Sequence, residues 1–554
     1  MRTYKTIRSV LLGFGILSVS GAGMAKEKCA LDNIQAMAPK GAVVDTVTHI
    51  DAPIAHCEVV GHTTTRNPGP NRVEWTVMLP DDGFKGRYYF IGEGGAAGIV
   101  PTTRAAEEDL EAIYGQSYSG TESEIQLQRQ TMGMIAASYA GAAVRRLAEG
   151  FAVAGTDTGH KGFLWDFMID NPAARLDHGH RGAHVAAVAT QAITRDYYDM
   201  DDKLYRYHLG CSGGGRMGAM AALHHPGDYD GIVASTGFGK GNSMWFPWII
   251  QYLVEKPDRW ISPAKLAFLE EKVAEHCAGP DGLVRNQDAC GFDLNNVQCK
   301  GKSTDKCLTR DEIDMARRIT EPHPVGPGEK SGGFTLTNPV GWSSFLIGTT
   351  RPTSDNTDNP WAPNPPPSSF WIAKSILRGV YFQDPDFDML TDLDFENPQH
   401  LQVLADHHDD WGATSPDISG FKEAGGKFIL WAPLGENAVP PATETQYHDQ
   451  LEATLTHVDT FFRTYEVPGV WHCAGGPGPQ DSAERFLDKV IAWVEQGKRP
   501  DEIVLNRPDA PGLPKAAPSP IRTVLVCPYP QKAVFTAEEG AFPYDAANWS
   551  CREQ

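Results

Sequence analysis

"YRYHLGCSGGGRMGAMAALHHP", residues 205–226, changes character twice within a few positions. Aromatic and apolar residues run to Leu209. Then come Gly210-Cys211-Ser212-Gly213-Gly214, followed by a run of helix formers. The stretch reads as a short strand, a sharp turn and a helix. A turn this tight strains the backbone and needs small neighbours, which Gly210, Gly213 and Gly214 supply. The helix that starts there aims its free N–H groups at whatever lies over the Ser212 hydroxyl. A serine in this place has a second reading, as a plain helix N-cap. The thiol of Cys211, directly beside that hydroxyl, needs a separate explanation.

On either side of this stretch the pattern repeats. "GRYYFIGEGGAAG" (86–98) and "EGFAVAGTDTGH" (149–160) are short apolar runs that enter small polar turns, and "YDGIVAST" (229–236) is another buried strand. "HCEVVGHTTT" (56–65) and "NRVEWTVMLP" (71–80) have strand content, and "GAHVAAVATQAITRDYY" (182–198) has helical apolar spacing. After residue 410 the pattern returns in "GGKFILWAPLGENAVPP" (425–441), "TYEVPGVWHCAGGPGP" (464–479) and the amphipathic "SAERFLDKVIAWVEQG" (482–497). Strands alternating with helices imply an α/β fold, a doubly wound, mostly parallel sheet covered on both faces. "RPDAPGLPKAAPSPIRT" (507–523) reads as an extended surface connector.

Between about 240 and 410 the texture differs. Tryptophans, prolines and closely spaced cysteines dominate, as in "SMWFPWII" and "TSDNTDNPWAPNPPPSSFW", and "TRDEIDMARRI" offers Thr309 as a helix N-cap. The expected division is 26–239 and 411–554 for the two parts of the core and 240–410 for an inserted lid. The other reading of the insert is a loop-rich surface domain that never meets the site.

Bulk properties narrow the function. The chain has 554 residues, 41 % hydrophobic and 21 % charged, with a net charge of −21. That is globular composition, and its acidity argues against binding a phosphate backbone. Residues 1–25 read as a signal peptide: Arg2, Lys5 and Arg8, a short apolar run from Val10 to Gly23, then "GMA". Neither this run nor any later one is long enough for a comfortable membrane span. A secreted or periplasmic protein is therefore expected, with no nucleic-acid or membrane partner; the sequence assigns no oligomeric state. In an oxidising compartment ten cysteines suggest disulfides. Local pairs are Cys29–Cys57, Cys277–Cys290, Cys299–Cys307 and Cys527–Cys551. No tight CxxC pairs point to zinc, and no metal is assigned.

Cys211 and Cys473 remain, each beside a residue that can do chemistry. Doubly wound hydrolases carry serine, acid and histidine in that chain order. Here the order is Ser212, an acid near 436, and His472 at a strand end. Such a histidine takes the hydroxyl proton and returns one to a leaving alcohol. A Cys211–Cys473 bond would fix the base beside the hydroxyl across the large insert; the alternative is that Cys211 is a small filler in a tight elbow.

These residues resemble the tannase and feruloyl esterase family of secreted α/β-hydrolases, which includes the mono-hydroxyethyl terephthalate esterases. The matching blocks are "GCSGGGR", "FIGEGGAAG", "AVAGTDTGH", "HPGDYDGIVA", "TSPDISGFKEAGGKFILW" and "PGVWHCAGGPG", spread over residues 29 to 480. The resemblance implies the Cys211–Cys473 disulfide, a catalytic set of Ser212, Glu436 and His472, and an oxyanion hole made by the amide of Gly213 with that of Gly94 or Gly95. It implies a serine carboxylic-ester hydrolase that cleaves small esters of aromatic acids through an acyl-serine, with no cofactor. Two departures stand out. The family's acid is usually Asp in a GW-x-D-P-x-V-P-P run, whereas the run here carries Glu436, and the other reading is a solvated loop acid and a broken triad. Asp406, Asp409, Asp410 and Asp417 precede the strand and substitute poorly. The family's lid calcium loop corresponds to "CAGPDGLVRNQDAC" (277–290), where Asp281 fits but Ala278 and Arg285 stand where acids belong, so calcium is not expected. Trp245, Trp248, Trp361 and Trp371 suit a planar ring or a lid core, and Arg351 is a candidate partner for a substrate carboxylate. The competing readings are an esterase for a non-aromatic natural-product ester and a catalytically disabled binding protein of the same fold.

Overall fold

The computed structural model describes residues 26–104, 122–237, 239, 243–287, 289–407, 412–508 and 521–553. Residues 1–25, which the sequence reads as a signal peptide, and the middle of the Pro-rich stretch, 509–520, lie outside them.

Among the described residues seven strands form before the insert: β1 (Ala42–Ile50), β2 (His56–Thr65), β3 (Asn71–Pro80), β4 (Arg87–Ile91), β5 (Phe151–Thr156), β6 (Tyr205–Cys211) and β7 (Gly231–Ser235). The insert carries a small hairpin, β8 (His323–Gly326) and β9 (Glu329–Ser331). After it come β10 (Lys427–Pro433) and β11 (Phe462–Val467), then two C-terminal hairpins, β12 (Ile503–Pro508) with β13 (Ile521–Val526) and β14 (Lys532–Phe535) with β15 (Trp549–Arg552). Nine strands make one sheet in the order β1-β2-β3-β5-β4-β6-β7-β10-β11. From β5 to β11 all neighbours are parallel; β1, β2 and β3 add an antiparallel meander at one edge. The fold is an α/β-hydrolase, as the sequence reading expected. The meander's first strand was not anticipated, because "AVVDTVTHI" is half exposed and lacks the continuous apolar run of its neighbours.

The parallel strands are buried on both faces, and period two sorts their side chains into two cores. Tyr88, Phe90, Ile232, Ala234, Phe428 and Leu430 join one apolar cluster, completed by helices Gly182–Tyr197 and Gly213–His224. Tyr89, Ile91, Val233, Ile429 and Trp431 join the other, completed by helices Glu122–Ala148 and Ser482–Gln496. The second helix stops where Gly497 takes a left-handed φ of +68°.

A third apolar cluster is drawn from residues between Met244 and Leu404, together with Ala96, Trp165, Met168 and Val439 of the core. The insert thus buries its own tryptophans, including Trp342 and Trp361. Its helix Arg310–Thr320 starts with a full capping box: the Thr309 hydroxyl accepts from the Glu312 amide at 3.2 Å, and the Glu312 carboxylate accepts from the Thr309 amide at 2.7 Å. Such a cap contributes about 1 kcal/mol. Five disulfides close, Cys29–Cys57, Cys211–Cys473, Cys277–Cys290, Cys299–Cys307 and Cys527–Cys551, and among the described residues no cysteine is free.

Candidate active site

Ser212 follows the last residue of β6, at the mouth of the parallel sheet. Its φ and ψ are 60° and −124°, a conformation side chains rarely take. It occupies the N-cap place of helix Gly213–His224 but makes no side-chain cap hydrogen bond, so its hydroxyl is not spent on the helix. Its own amide donates to Ser235 O at 2.8 Å and lies 3.0 Å from the Thr236 hydroxyl, which pins the turn to the end of β7. The glycines around it are spacers. A Cβ on Gly213 would lie 2.3 Å from Gly95 O, and one on Gly210 the same distance from Gly214 C. The elbow therefore packs backbone to backbone on the Gly92–Gly95 turn.

The two candidate glycines of that turn divide. The amide of Gly94 donates to the Tyr139 hydroxyl at 2.7 Å. Gly95, with φ +61°, lines the same cavity as Ser212, Gly213 and His472. Gly95 is thus the better placed of the two to serve a reacting oxygen.

Glu436 sits in the loop after β10 and is 1 % exposed. Its Oε1 accepts from the amides of Asn437 at 2.9 Å, Ala438 at 2.7 Å and Val439 at 3.3 Å, and lies 2.8 Å from His472 Nδ1. The extra methylene that separates Glu from the expected Asp is taken up by this curl over its own loop. His472 is also held from behind, its amide donating to Asn437 Oδ1 at 3.2 Å. With Nδ1 facing Glu436, its other ring nitrogen is left for the cavity.

The Cys211–Cys473 bond joins the residue before Ser212 to the residue after His472, with the two Cα atoms 5.8 Å apart in space and the residues 262 positions apart in sequence. Cys473, like Ser212, has positive φ, at +64°. The bond thus links two locally unfavourable conformations, one on either side of the cavity.

Around this centre lies a buried polar layer that single-sequence reading did not find. Glu93 and Arg216 are both buried; the Arg216 guanidinium is 3.8 Å from Glu93, donates to His178 O and Gly179 O at 3.0 Å each, and lines the cavity. The Thr158 hydroxyl donates to Glu93 at 3.1 Å. Burial pushes the Glu93 carboxyl up to about 8, with the Arg216 charge pulling the other way, and burial lowers Arg216 to about 10. The layer ties the Gly92–Gly95 turn to the elbow helix. Glu444, in the helix after the Glu436 loop, is pushed well above the carboxylate range by burial and by the negative charge of Glu436. On the other side, Arg507 of β12 donates to Gly476 O at 2.6 Å and Gly478 O at 2.9 Å, anchoring the His472 loop to the first C-terminal hairpin. Glu93 stood in plain view in "GEGG", but its partners come from positions 65 to 123 residues away, which no local spacing reveals.

The lid residues divide as well. Trp245 lines the cavity with Trp165, Phe246, Phe345 and Ile372. Trp248 instead packs under Arg318 and against Phe395, and Trp361 against Phe370. Trp371 packs on Phe370 within the lid core. Arg351 pairs with Asp258, both half-exposed or more, and does not line the cavity. In the 277–290 loop, Asp281 is buried, with one oxygen accepting from the Leu283 amide and the other paired with Arg285. Among the described residues of that loop, the Asp281 carboxylate is thus taken by an amide and a guanidinium, a setting unlike the oxygen cage calcium needs.

An elbow serine after one parallel strand and a carboxylate-held imidazole after a later one define the class of α/β-hydrolases. The family model described as tannase and feruloyl esterase matches residues 57–551, and the chain belongs to that family; it is a carboxylic ester hydrolase. It is 28 % identical over 541 residues to the mono(2-hydroxyethyl) terephthalate hydrolase of Piscinibacter sakaiensis, covering 86 % of this chain and 82 % of that one. It is 27 % identical over 563 residues to an uncharacterized esterase of Xanthomonas campestris, covering 93 % and 86 %. The crystal structure of feruloyl esterase B from Aspergillus oryzae has the same fold, with a TM-score of 0.72 at 18 % identity over 94 % of this chain and all of that one.

Proposed function

We propose that the protein hydrolyses esters of aromatic acids through an acyl-Ser212 intermediate. The observation that carries this reading is the Glu436–His472 contact, held by disulfide beside an elbow serine and roofed by Trp165, Trp245, Phe246 and Phe345. His472 takes the Ser212 proton as Oγ attacks the ester carbonyl. Glu436 holds the ring in the right tautomer and offsets the charge it gains. The Gly213 and Gly95 amides receive the oxyanion; loss of one such donor typically costs about 10²–10³ in turnover. Collapse returns the proton to the leaving alcohol, and a water molecule repeats the cycle on the acyl-enzyme. The insert, residues 240–410, acts as the lid: Trp245, Phe246 and Phe345 come from it, and their flat faces suit a planar acyl group. The signal-like first 25 residues and five disulfides support an exported enzyme.

The test is a panel of methyl ferulate, methyl gallate, mono(2-hydroxyethyl) terephthalate and straight-chain p-nitrophenyl esters. The reading expects at least one aroyl ester to exceed the straight-chain esters in kcat/KM by about tenfold, a difference of about 1.4 kcal/mol. Preference for alkyl acyl groups would move the assignment to a non-aromatic ester.

A further inference from the structure

A second cluster of chemistry-bearing side chains lies away from the ester site, and the mechanism uses none of it. His180 and His184 stand one turn apart, His180 in the widened turn Asp177–Arg181 and His184 in helix Gly182–Tyr197. His224 and His225 close the far end of the elbow helix, opposite Ser212, and Asp228 follows in the turn before β7. The rings meet in two stacks, His184 on His225 at 3.9 Å and His180 on His224 at 4.2 Å between centroids. His180 Nδ1 is 2.9 Å from His225 Nε2, and His184 Nδ1 is 2.9 Å from Asp228 Oδ2. Asp228 is buried, and His184 and His225 are half-buried.

We propose that His184, His225 and Asp228, with His180 as fourth ligand, form a binding site for a divalent transition metal of the zinc class. One ligand atom from each of the first three lies within 4.8 Å of the others. Tetrahedral zinc with bonds of about 2.0–2.2 Å sets its ligand atoms roughly 3.4 Å apart. Binding requires the His184 and His225 rings to turn out of their parallel stack, so that their in-plane nitrogen lone pairs converge on one ion. The His180–His225 contact already brings two ring nitrogens to 2.9 Å. Imidazole with one carboxylate is a donor set that suits zinc, cobalt, nickel and copper and disfavours calcium and magnesium. The ligands come from two separate helix ends, so a bound ion staples helix Gly182–Tyr197 to the end of the elbow helix. The ion is structural: it sits at the opposite end of a twelve-residue helix from Ser212.

The test uses the full mature chain without an affinity tag, stripped with EDTA and titrated with Co²⁺ and then Zn²⁺. The expected result is one Co²⁺ per chain with the visible absorption of a tetrahedral ion, displaced by Zn²⁺, and a melting temperature that rises with metal concentration. His184→Ala and His225→Ala each weaken binding at least about tenfold, the loss of one ligand's 1.4 kcal/mol or more. His276→Ala, at an exposed histidine elsewhere, leaves it unchanged. Asp228→Asn gives the same loss with little change in volume, in case an alanine variant fails to fold, and esterase activity reports folding in each. No uptake at a hundredfold excess of Zn²⁺ overturns the proposal, as does binding that survives His184→Ala/His225→Ala.

Discussion

Replacing Glu436 by Gln removes one charge and little else, and the structure gives the size of the effect. Oε1 is pinned by three backbone amides and faces His472 Nδ1, while Oε2 is buried with no hydrogen-bond partner. The amide oxygen of Gln therefore takes the Oε1 place and the NH₂ the Oε2 place. His472 keeps its tautomer and loses only the countercharge for its protonated form. At an effective dielectric near 20 and charge centres about 4 Å apart, that countercharge is worth about 4 kcal/mol. A tenfold change in rate corresponds to about 1.4 kcal/mol, so kcat/KM should fall by about 10³. The stranded NH₂ costs about 1–3 kcal/mol of stability. The assay is steady-state hydrolysis of a p-nitrophenyl ester, with thermal melts followed by circular dichroism. A loss of less than tenfold would refute the reasoning, because the imidazole would then work without Glu436.

Two further perturbations probe the frame. Removing the Cys211–Cys473 bond as Cys211→Ala/Cys473→Ala should lower kcat at least about tenfold at temperatures where the variant is fully folded, beyond the roughly 5 kcal/mol of chain entropy such a long loop contributes at most; unchanged kcat would reduce the bond to a stabiliser. Glu444 holds its proton in the folded chain and releases it in the unfolded one above about pH 4.5, so the native state binds more protons and the carboxyl's contribution falls as pH rises. Glu444→Gln should gain stability over the parent above that pH, by up to about 1.4 kcal/mol per unit, and show no gain below it; parallel melting curves across pH would contradict the buried neutral acid.

The parts legible in the sequence share a local cause. β5 and β7 are short runs buried throughout, and β4 and β10 are buried at every residue after the first, so each reads as apolar without reference to its neighbours. Thr309 marks a helix start through a contact only three residues long. The elbow glycines are equally local, whereas the order of Ser212, Glu436 and His472 is legible only through the chain order that doubly wound hydrolases share and the family resemblance. What was not legible is pairing at a distance. Tyr139 occupying the Gly94 amide, Arg216 beneath Glu93 and Arg507 behind the His472 loop all join segments whose proximity only the fold creates. Arg351 misled for the same reason, since its partner Asp258 lies 93 positions away. The histidine cluster needed both helix ends in place before "HGHRGAH" and "HHPGD" could be seen as one site.

The central claim is that Ser212 is the atom that attacks and His472 the group that activates it. A fluorophosphonate that titrates the enzyme, followed by intact mass and peptide mapping, tests this most directly. The account predicts one adduct per chain, on Ser212, formed at least about 10³-fold more slowly when His472 is replaced by Ala, the magnitude of a lost general base. An adduct on another residue, or full ester turnover by Ser212→Ala, would contradict it.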